Sequence, residues 1–378
     1  MANPLLELKA LGQSVWYDNI SRAALRGELA QLVAAGEVQG VTSNPTIFEK
    51  AIAGSTDYDE DIRRLVRAGR STEDVFWELA VEDVRSAAEL LRPVFEASGG
   101  LDGYVSLEVS PTLAADAQGT VAAAERLFRW VGRPNVMIKI PATRECWPAI
   151  EESIARGVNV NITMMFSPSH YEAVVEAYLR GLERRVAAGQ DVRSLASVAS
   201  VFVSRIDTLV DKRLEALAAE RPERAAEARA LLGRAAIANA REIYARFREV
   251  FSEGNPRWKA LAARGARVQR PLWASTSTKN PKYRDVVYVE ELIGPDTVNT
   301  MPPATIAAFR DHGVVRRTVD ADPAGAQAVL QALRALGIDI EEVGATLQRE
   351  GVQLFADSFA KLLHEVETKA KAVAAVGR

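Results

Sequence analysis

The sequence predicts an α/β protein built as a single (β/α)₈ barrel with additional helices, and two observations carry that prediction. Short β-leaning segments alternate with helical ones along the chain, and there are eight of them, centred near Trp16, Thr42, Ser106, Ile138, Val160, Ser200, Trp273 and Asn299. Several also alternate internally between apolar and polar residues: Val105-Ser106-Leu107-Glu108-Val109, Met137-Ile138-Lys139-Ile140 and Val158-Asn159-Val160-Asn161-Ile162-Thr163. Successive side chains leave a strand on opposite faces, so each of these strands has one apolar and one polar face. A parallel strand covered by helices on both sides reads instead as nearly all apolar. Alternation suits a barrel strand whose outer face packs on helices while its inner end lines a site at the C-terminal rim. An antiparallel sheet with one solvated face is the plain alternative; the intervening helical segments oppose it, because they read as crossovers.

The short gaps between strands hold one helix each. The gap from Asn44 to Tyr104 holds at least two, one running from Ser71 to Glu96 and opened by the capping sequence Ser71-Thr72-Glu73-Asp74. The stretch from Arg205 to Arg270 is rich in Ala, Arg and Glu and reads as an inserted helical pair. From about Pro323 the tail is helical, with Phe355, Phe359, Leu362 and Val366 repeating on one face. The expected organisation is one barrel domain over residues 1–378, with a helical insertion at 206–268 and C-terminal helices at 323–378.

Composition narrows the function. The chain has 47 Lys plus Arg against 50 Asp plus Glu, a net charge of −3, which gives no basic surface for nucleic acid. It leaves room for a small phosphate pocket, which needs only a few local cations. One cysteine, Cys146, excludes an internal disulfide and any Cys-rich zinc site, and fits a reducing cytoplasm. His170, His312 and His364 are too scattered to suggest a His-rich metal site. No apolar run approaches the ~20 residues of a membrane span, and the N-terminus lacks a signal layout. The expectation is a cytoplasmic protein with no metal, no nucleic-acid partner and no membrane partner.

Lys139 is the sharpest feature. An ammonium between Ile138 and Ile140 on a buried strand is costly unless it is paired or neutral. Burial in general favours the neutral amine, the nucleophile that forms a Schiff base with a carbonyl. A lysine salt-bridged inside the barrel is the plain alternative. Asp18 and Glu108 are candidate carboxylates for proton transfer; a helix cap for Asp18 and an ion pair with Lys139 for Glu108 stand beside that reading. Asn44, Asn161, Thr163 and Ser200 are neutral hydrogen-bonding groups that suit a substrate rich in hydroxyls or, equally, the barrel's own interior. Arg205 and the run Ser275-Thr276-Ser277-Thr278-Lys279-Asn280 suit a phosphate; for Arg205 the alternative is a surface ion pair with Asp207 or Asp211.

Five motifs in order, Gly40-Val41-Thr42-Ser43-Asn44-Pro45-Thr46, Ser106-Leu107-Glu108-Val109-Ser110, Met137-Ile138-Lys139-Ile140-Pro141-Ala142-Thr143, Asn159 to Ser167 and Ala274 to Asn280, resemble the transaldolase family in its longer bacterial form, over about Ser14 to Ala304. The resemblance implies a cofactor-free enzyme that acts on small-molecule sugar phosphates in the pentose phosphate pathway, moving a dihydroxyacetone unit between them. It implies Lys139 as the Schiff-base lysine and Asp18 as general acid/base. Glu108 and Thr163 would steer a catalytic water, and Phe202 would keep other water out. Asn44, Asn161 and Ser200 would contact substrate hydroxyls, and Arg205 and Ser275 would hold phosphate. The chain departs from the commoner pattern in lacking a second phosphate arginine just after Ser275; Lys279 is the cation of that run, a point charge rather than a fork. A fructose-6-phosphate aldolase that releases free dihydroxyacetone and a non-catalytic sugar-phosphate-binding barrel are the alternatives. A homodimer is left open.

Overall fold

The structure is a computed structural model that describes residues 3–375. Eight strands close into a barrel: β1 (Gln13–Tyr17), β2 (Gly40–Val41), β3 (Val105–Glu108), β4 (Val136–Pro141), β5 (Val160–Met165), β6 (Ser197–Phe202), β7 (Arg270–Ala274) and β8 (Thr297–Met301). Each pairs in parallel with the next, and β8 pairs with β1. All eight expected segments are strands, although β2 ends one residue before Thr42. Outward residues such as Ile138, Ile140, Val160 and Ile162 are fully buried beneath the helices.

Local sequence fixes where the crossover helices begin. Asn44-Pro45, Ser167-Pro168 and Asp322-Pro323 each place a capping side chain ahead of a proline in the first helical turn. The cap oxygen accepts a backbone N–H that the helix cannot satisfy, and proline there forfeits nothing. Two helical expectations need correction. The stretch from Ser71 to Glu96 is two helices, Thr72–Leu90 and Arg92–Ala97, broken at Leu91. Pro93 removes a ladder hydrogen bond and crowds the preceding turn, so a continuous helix cannot pass. The stretch after Arg205 is more than an inserted pair. Ser204–Glu220 follows β6 directly, and Ala225–Arg229, Ala235–Val250 and Pro256–Ala262 lie between it and β7.

The tail forms two helices, Pro323–Ala335 and the long Ile340–Ala375. Phe355, Phe359, Leu362 and Val366 of the latter are all buried, as their spacing predicts. Phe359 packs edge-on against Phe76 (centroids 5.6 Å apart), which packs in turn against Phe48 of the helix Pro45–Ala53 at 5.8 Å. This aromatic stack ties the C-terminal helix to the helices that follow β2 and seats it beside the barrel's C-terminal mouth.

Inside the barrel, toward the N-terminal ends of the strands, Trp16 packs its indole against Gly40 of β2. A Cβ at position 40 would come within 2.5 Å of the ring. Gly40 is therefore required by close approach, and Gly40→Ala should destabilise the fold by about 1–3 kcal/mol, the usual cost of overpacking a core. Urea unfolding measures this; an unchanged midpoint would contradict the packing of Trp16 on β2.

Candidate active site

Strand alternation decides which side chains meet inside. On β1 Ser14 and Trp16 face the interior, each hydrogen-bonded to Asp102, and Asp18 continues that face at the C-terminal mouth. The mouth encloses a cavity of about 350 Å³, walled by Asp18, Thr42, Asn44, Lys139, Ser200, Phe202, Arg205, Ser275 and Lys279, among others. Eight of the sequence-predicted residues are thus brought to one space by strands far apart in the chain.

Lys139 lies at the floor, 5% exposed. Its Nζ donates to the Ser43 carbonyl at 3.2 Å and lies 3.6 Å from Glu108 Oε2. The two residues are paired in the β3–β4 register, so the ladder itself sets them side by side. Glu108 is 8% exposed, and its Oε2 accepts no hydrogen bond among the described residues. Burial pushes the Glu108 carboxyl up to about 7, against the pull of Lys139. A carboxyl in that range both takes and returns a proton at neutral pH.

Asp18 is half-buried on the cavity wall and accepts a hydrogen bond from Thr42 Oγ1 at 2.6 Å. Desolvation raises its carboxyl above the ordinary value, with Lys139, Thr42 and Lys279 pulling the other way. It is not a helix cap: Ser21 caps the next helix through the Ala24 N–H. Asn44 does cap its helix, accepting from Ile47 N–H at 3.0 Å, and also lines the cavity. Asn161 is engaged by the barrel. Its amide reaches past β4 to donate to Ser106 Oγ at 2.9 Å, and its carbonyl accepts from Ser200 Oγ at 2.7 Å. Thr163, fully buried one inward position above Asn161, has no hydrogen-bond partner for Oγ1 among the described residues. Asn299, late in its strand like the others, faces away; its neighbour Thr300 lines the cavity, bonded to Thr42 at 2.6 Å.

The far wall is cationic. Arg205 is not in a surface ion pair with Asp207 or Asp211. Asp207 accepts from Tyr288 and the Ala236 N–H, and Asp211 from Tyr283 and the Gly233 N–H. The guanidinium lies over the Phe202 ring, 5.7 Å from its centroid. Desolvation lowers its pKa, with Glu350 opposing. A half-buried arginine that faces a cavity and makes no salt bridge among the described residues is set up to receive an anion. Ser275, in the left-handed region at φ +56°, shares a hydrogen bond with Ser204 at 3.0 Å. Lys279 Nζ donates to Ser277 Oγ at 2.9 Å on the same wall.

Sequence reasoning missed Lys50, which lines the cavity from the helix Pro45–Ala53. The spacing Thr46, Ile47, Lys50 after Asn44 would have put it on the face toward the mouth. It also missed Leu354, Phe355 and Ser358 of the C-terminal helix, which complete the wall. A larger cavity, about 760 Å³, opens at the opposite mouth, lined by Gln13, Ser14, Arg267 and Arg270. Its arginines are engaged by carbonyls, Arg267 with that of Gly99 and Arg270 with that of Leu101. Among the described residues no group of three or more His, Cys, Asp or Glu is placed to hold a metal ion, and no helix is long and apolar enough to cross a membrane.

The raised Glu108 carboxyl has a consequence for stability. Its ordinary value is 4.5 and its folded value about 7, so between these the native state keeps a proton that the unfolded chain has released. Stability therefore falls as pH rises through that window. Glu108→Gln removes the penalty, and its unfolding free energy relative to the parent should rise between pH 4.5 and 7 by up to about 3 kcal/mol. Urea titrations across this range measure it; a pH-independent difference would contradict the buried environment of Glu108.

Residues 15–366 match the family model described as Transaldolase/Fructose-6-phosphate aldolase. A protein named Transaldolase from Frankia alni is 52% identical over 365 residues, 96% of each chain. Transaldolase 2 of a Nostoc species is 48% identical over 380 residues, 99% of each chain. A protein named Transaldolase from Acidothermus cellulolyticus is 50% identical over 364 residues, 96% of this chain and 95% of that one. The closed barrel, the lysine and carboxylates at its C-terminal mouth and the full-length similarity agree, and the chain belongs to the transaldolase/fructose-6-phosphate aldolase family.

Proposed function

We propose that the protein is a transaldolase, moving a dihydroxyacetone unit from fructose 6-phosphate or sedoheptulose 7-phosphate to an aldose phosphate in the non-oxidative pentose phosphate pathway. The observation that carries this reading is Lys139 Nζ, buried 3.6 Å from the Glu108 carboxyl, below a cavity with cations on its far wall. The relatives that share half of its residues bear the same name.

In this reading the Lys139 amine attacks the C2 carbonyl of fructose 6-phosphate. Glu108 exchanges protons with the carbinolamine through a water held with Thr163; both side chains present buried oxygens without a hydrogen-bond partner among the described residues. Loss of water leaves a protonated imine, an electron sink at C2. Asp18, its basicity raised by burial, takes the proton of the C4 hydroxyl. The C3–C4 bond breaks, its electrons pass into the imine, and glyceraldehyde 3-phosphate leaves. The remaining enamine attacks the aldehyde carbon of erythrose 4-phosphate, Asp18 returns the proton to the new hydroxyl, and hydrolysis frees sedoheptulose 7-phosphate. Asn44 and Ser200 face the retained three-carbon piece, with Asn161 holding Ser200 from below.

Arg205, Ser275 and Lys279 would grip the phosphate that donor and acceptor both carry. Phe202 shields the arginine's inner side, and Lys50 adds a third cation to the rim. No cofactor enters these steps, because the imine supplies the electron sink. A cytoplasmic location fits the lone Cys146.

The family's other named activity differs only in the fate of the enamine. A mixture of fructose 6-phosphate and erythrose 4-phosphate should yield sedoheptulose 7-phosphate and glyceraldehyde 3-phosphate in equal amounts, with little dihydroxyacetone when the acceptor is omitted. Steady release of dihydroxyacetone without acceptor would favour the aldolase, and no turnover of either kind a non-catalytic sugar-phosphate-binding barrel.

A further inference from the structure

The C-terminal helix Ile340–Ala375 does more at the mouth than close one side. Gln348, on this helix, donates from Nε2 to the carbonyl of Met164 at 3.0 Å and to that of Ala142 at 3.1 Å. Those carbonyls lie just beyond the chemistry. Met164 follows Thr163 on β5, and Ala142 lies three residues after Lys139. The strand ends are also bonded to each other, Ala142 N–H donating to the Thr163 carbonyl at 2.7 Å. One amide thus bridges the two strands that carry Lys139 and Thr163.

The backbone at this point is unusual. Met164 has φ +64°, a left-handed conformation that a side chain with a Cβ adopts only where its surroundings enforce it. The β5–β6 register shifts between Ile162 and Met165, so the kink falls where Thr163 leaves the regular ladder. Irregularities of this kind re-aim a side chain, and they concentrate beside active sites. A kinked strand end must be held, because its carbonyls no longer meet their ladder partners.

The helix is shaped to hold it. Gly344, Gln348 and Gly351 lie on one helical face at spacings of four and three. A Cβ at Gly344 would sit 2.8 Å from Ser167 Cβ, and one at Gly351 would sit 3.0 Å from Met164 Sδ. The two glycines let the helix approach close enough for the glutamine between them to reach both carbonyls. Gly351 also lies beside Arg205, 3.9 Å from Nη1 to its notional Cβ, so the same face abuts the cationic wall.

We infer that Gln348 is a positioning residue for the reaction. By holding the Met164 carbonyl in the left-handed kink and bracing it on Ala142, it sets the direction in which Thr163 Oγ1 faces the Lys139–Glu108 pair. The inference rests on the proposed part of Thr163 in steering the catalytic water. Gln348 touches neither substrate nor the reacting atoms; it acts through β5.

A double-mutant cycle on the full chain tests it, with Thr163→Ala, Gln348→Met and the double variant assayed for dihydroxyacetone transfer and for thermal melting. Methionine keeps the length of glutamine and its helix preference but cannot donate. Gln348→Met should lower kcat by about tenfold or more, as a small misplacement of a catalytic group does, with KM for fructose 6-phosphate within about twofold. In the Thr163→Ala background the same change should cost about twofold or less, because its target is gone. Losses that multiply would overturn the inference while leaving the role of Thr163 intact, as would an unchanged kcat in Gln348→Met. Full activity of Thr163→Ala would overturn that role and the inference with it. Should Gln348→Met melt too low to assay, Gln348→Glu, of nearly the same shape and without an N–H donor, replaces it in the cycle with the same outcomes.

Discussion

A lysine nitrogen kept out of water, 3.6 Å from a carboxyl, is the contact on which the rest of the structure depends. Either group alone in that position would be an uncompensated buried charge. Held together by adjacent strands in register, they offset one another, and burial brings the Glu108 carboxyl up to about 7. The barrel makes this arrangement cheap. Parallel strands deliver their last inward side chains to one rim, Lys139, Ser200 and Thr300 from within the strands and Asp18, Thr42 and Ser275 from one residue beyond strand ends.

The division of labour along the barrel axis follows from the same geometry. At the lower end Trp16 against Gly40, and Asp102 bonded to Ser14 and Trp16, fill and satisfy the interior. Midway, Asn161 joins Ser106 and Ser200 across three strands. Above that level, among the described residues, Thr163 Oγ1 and Glu108 Oε2 have no hydrogen-bond partner. The C-terminal helix closes the upper end from the side, tied to the neighbouring helices by Phe359 and to the strand ends by Gln348.

Much of this was legible in the sequence, for a physical reason. A barrel strand with a helix on one side and a site on the other must alternate, and Lys139, Glu108, Asn161 and Thr163 stand at the alternating positions of their strands. The same rule gives no phase for β8, where Asn299 and Thr300 are both polar and Thr300 is the one that faces inward. Arg205 was ambiguous because Asp207 and Asp211 are close in sequence; Tyr288 and Tyr283, about 80 residues on, remove them from reach. The walls built by Lys50, Leu354, Phe355 and Ser358 were not legible, since the seat of the C-terminal helix depends on tertiary packing. The one local hint was the apolar stripe that buries Phe355 and Phe359. The break at Leu91 is legible in Pro93.

The most direct test of the central claim is chemical capture at Lys139. Incubation with fructose 6-phosphate and sodium borohydride, followed by proteolysis and mass spectrometry, should leave a reduced adduct on the peptide containing Lys139 and on no other lysine, Lys50 and Lys279 included. Lys139→Met should abolish it. An adduct confined to another lysine, or none in a protein that nevertheless turns over the substrate, would contradict the assignment of Lys139 as the nucleophile.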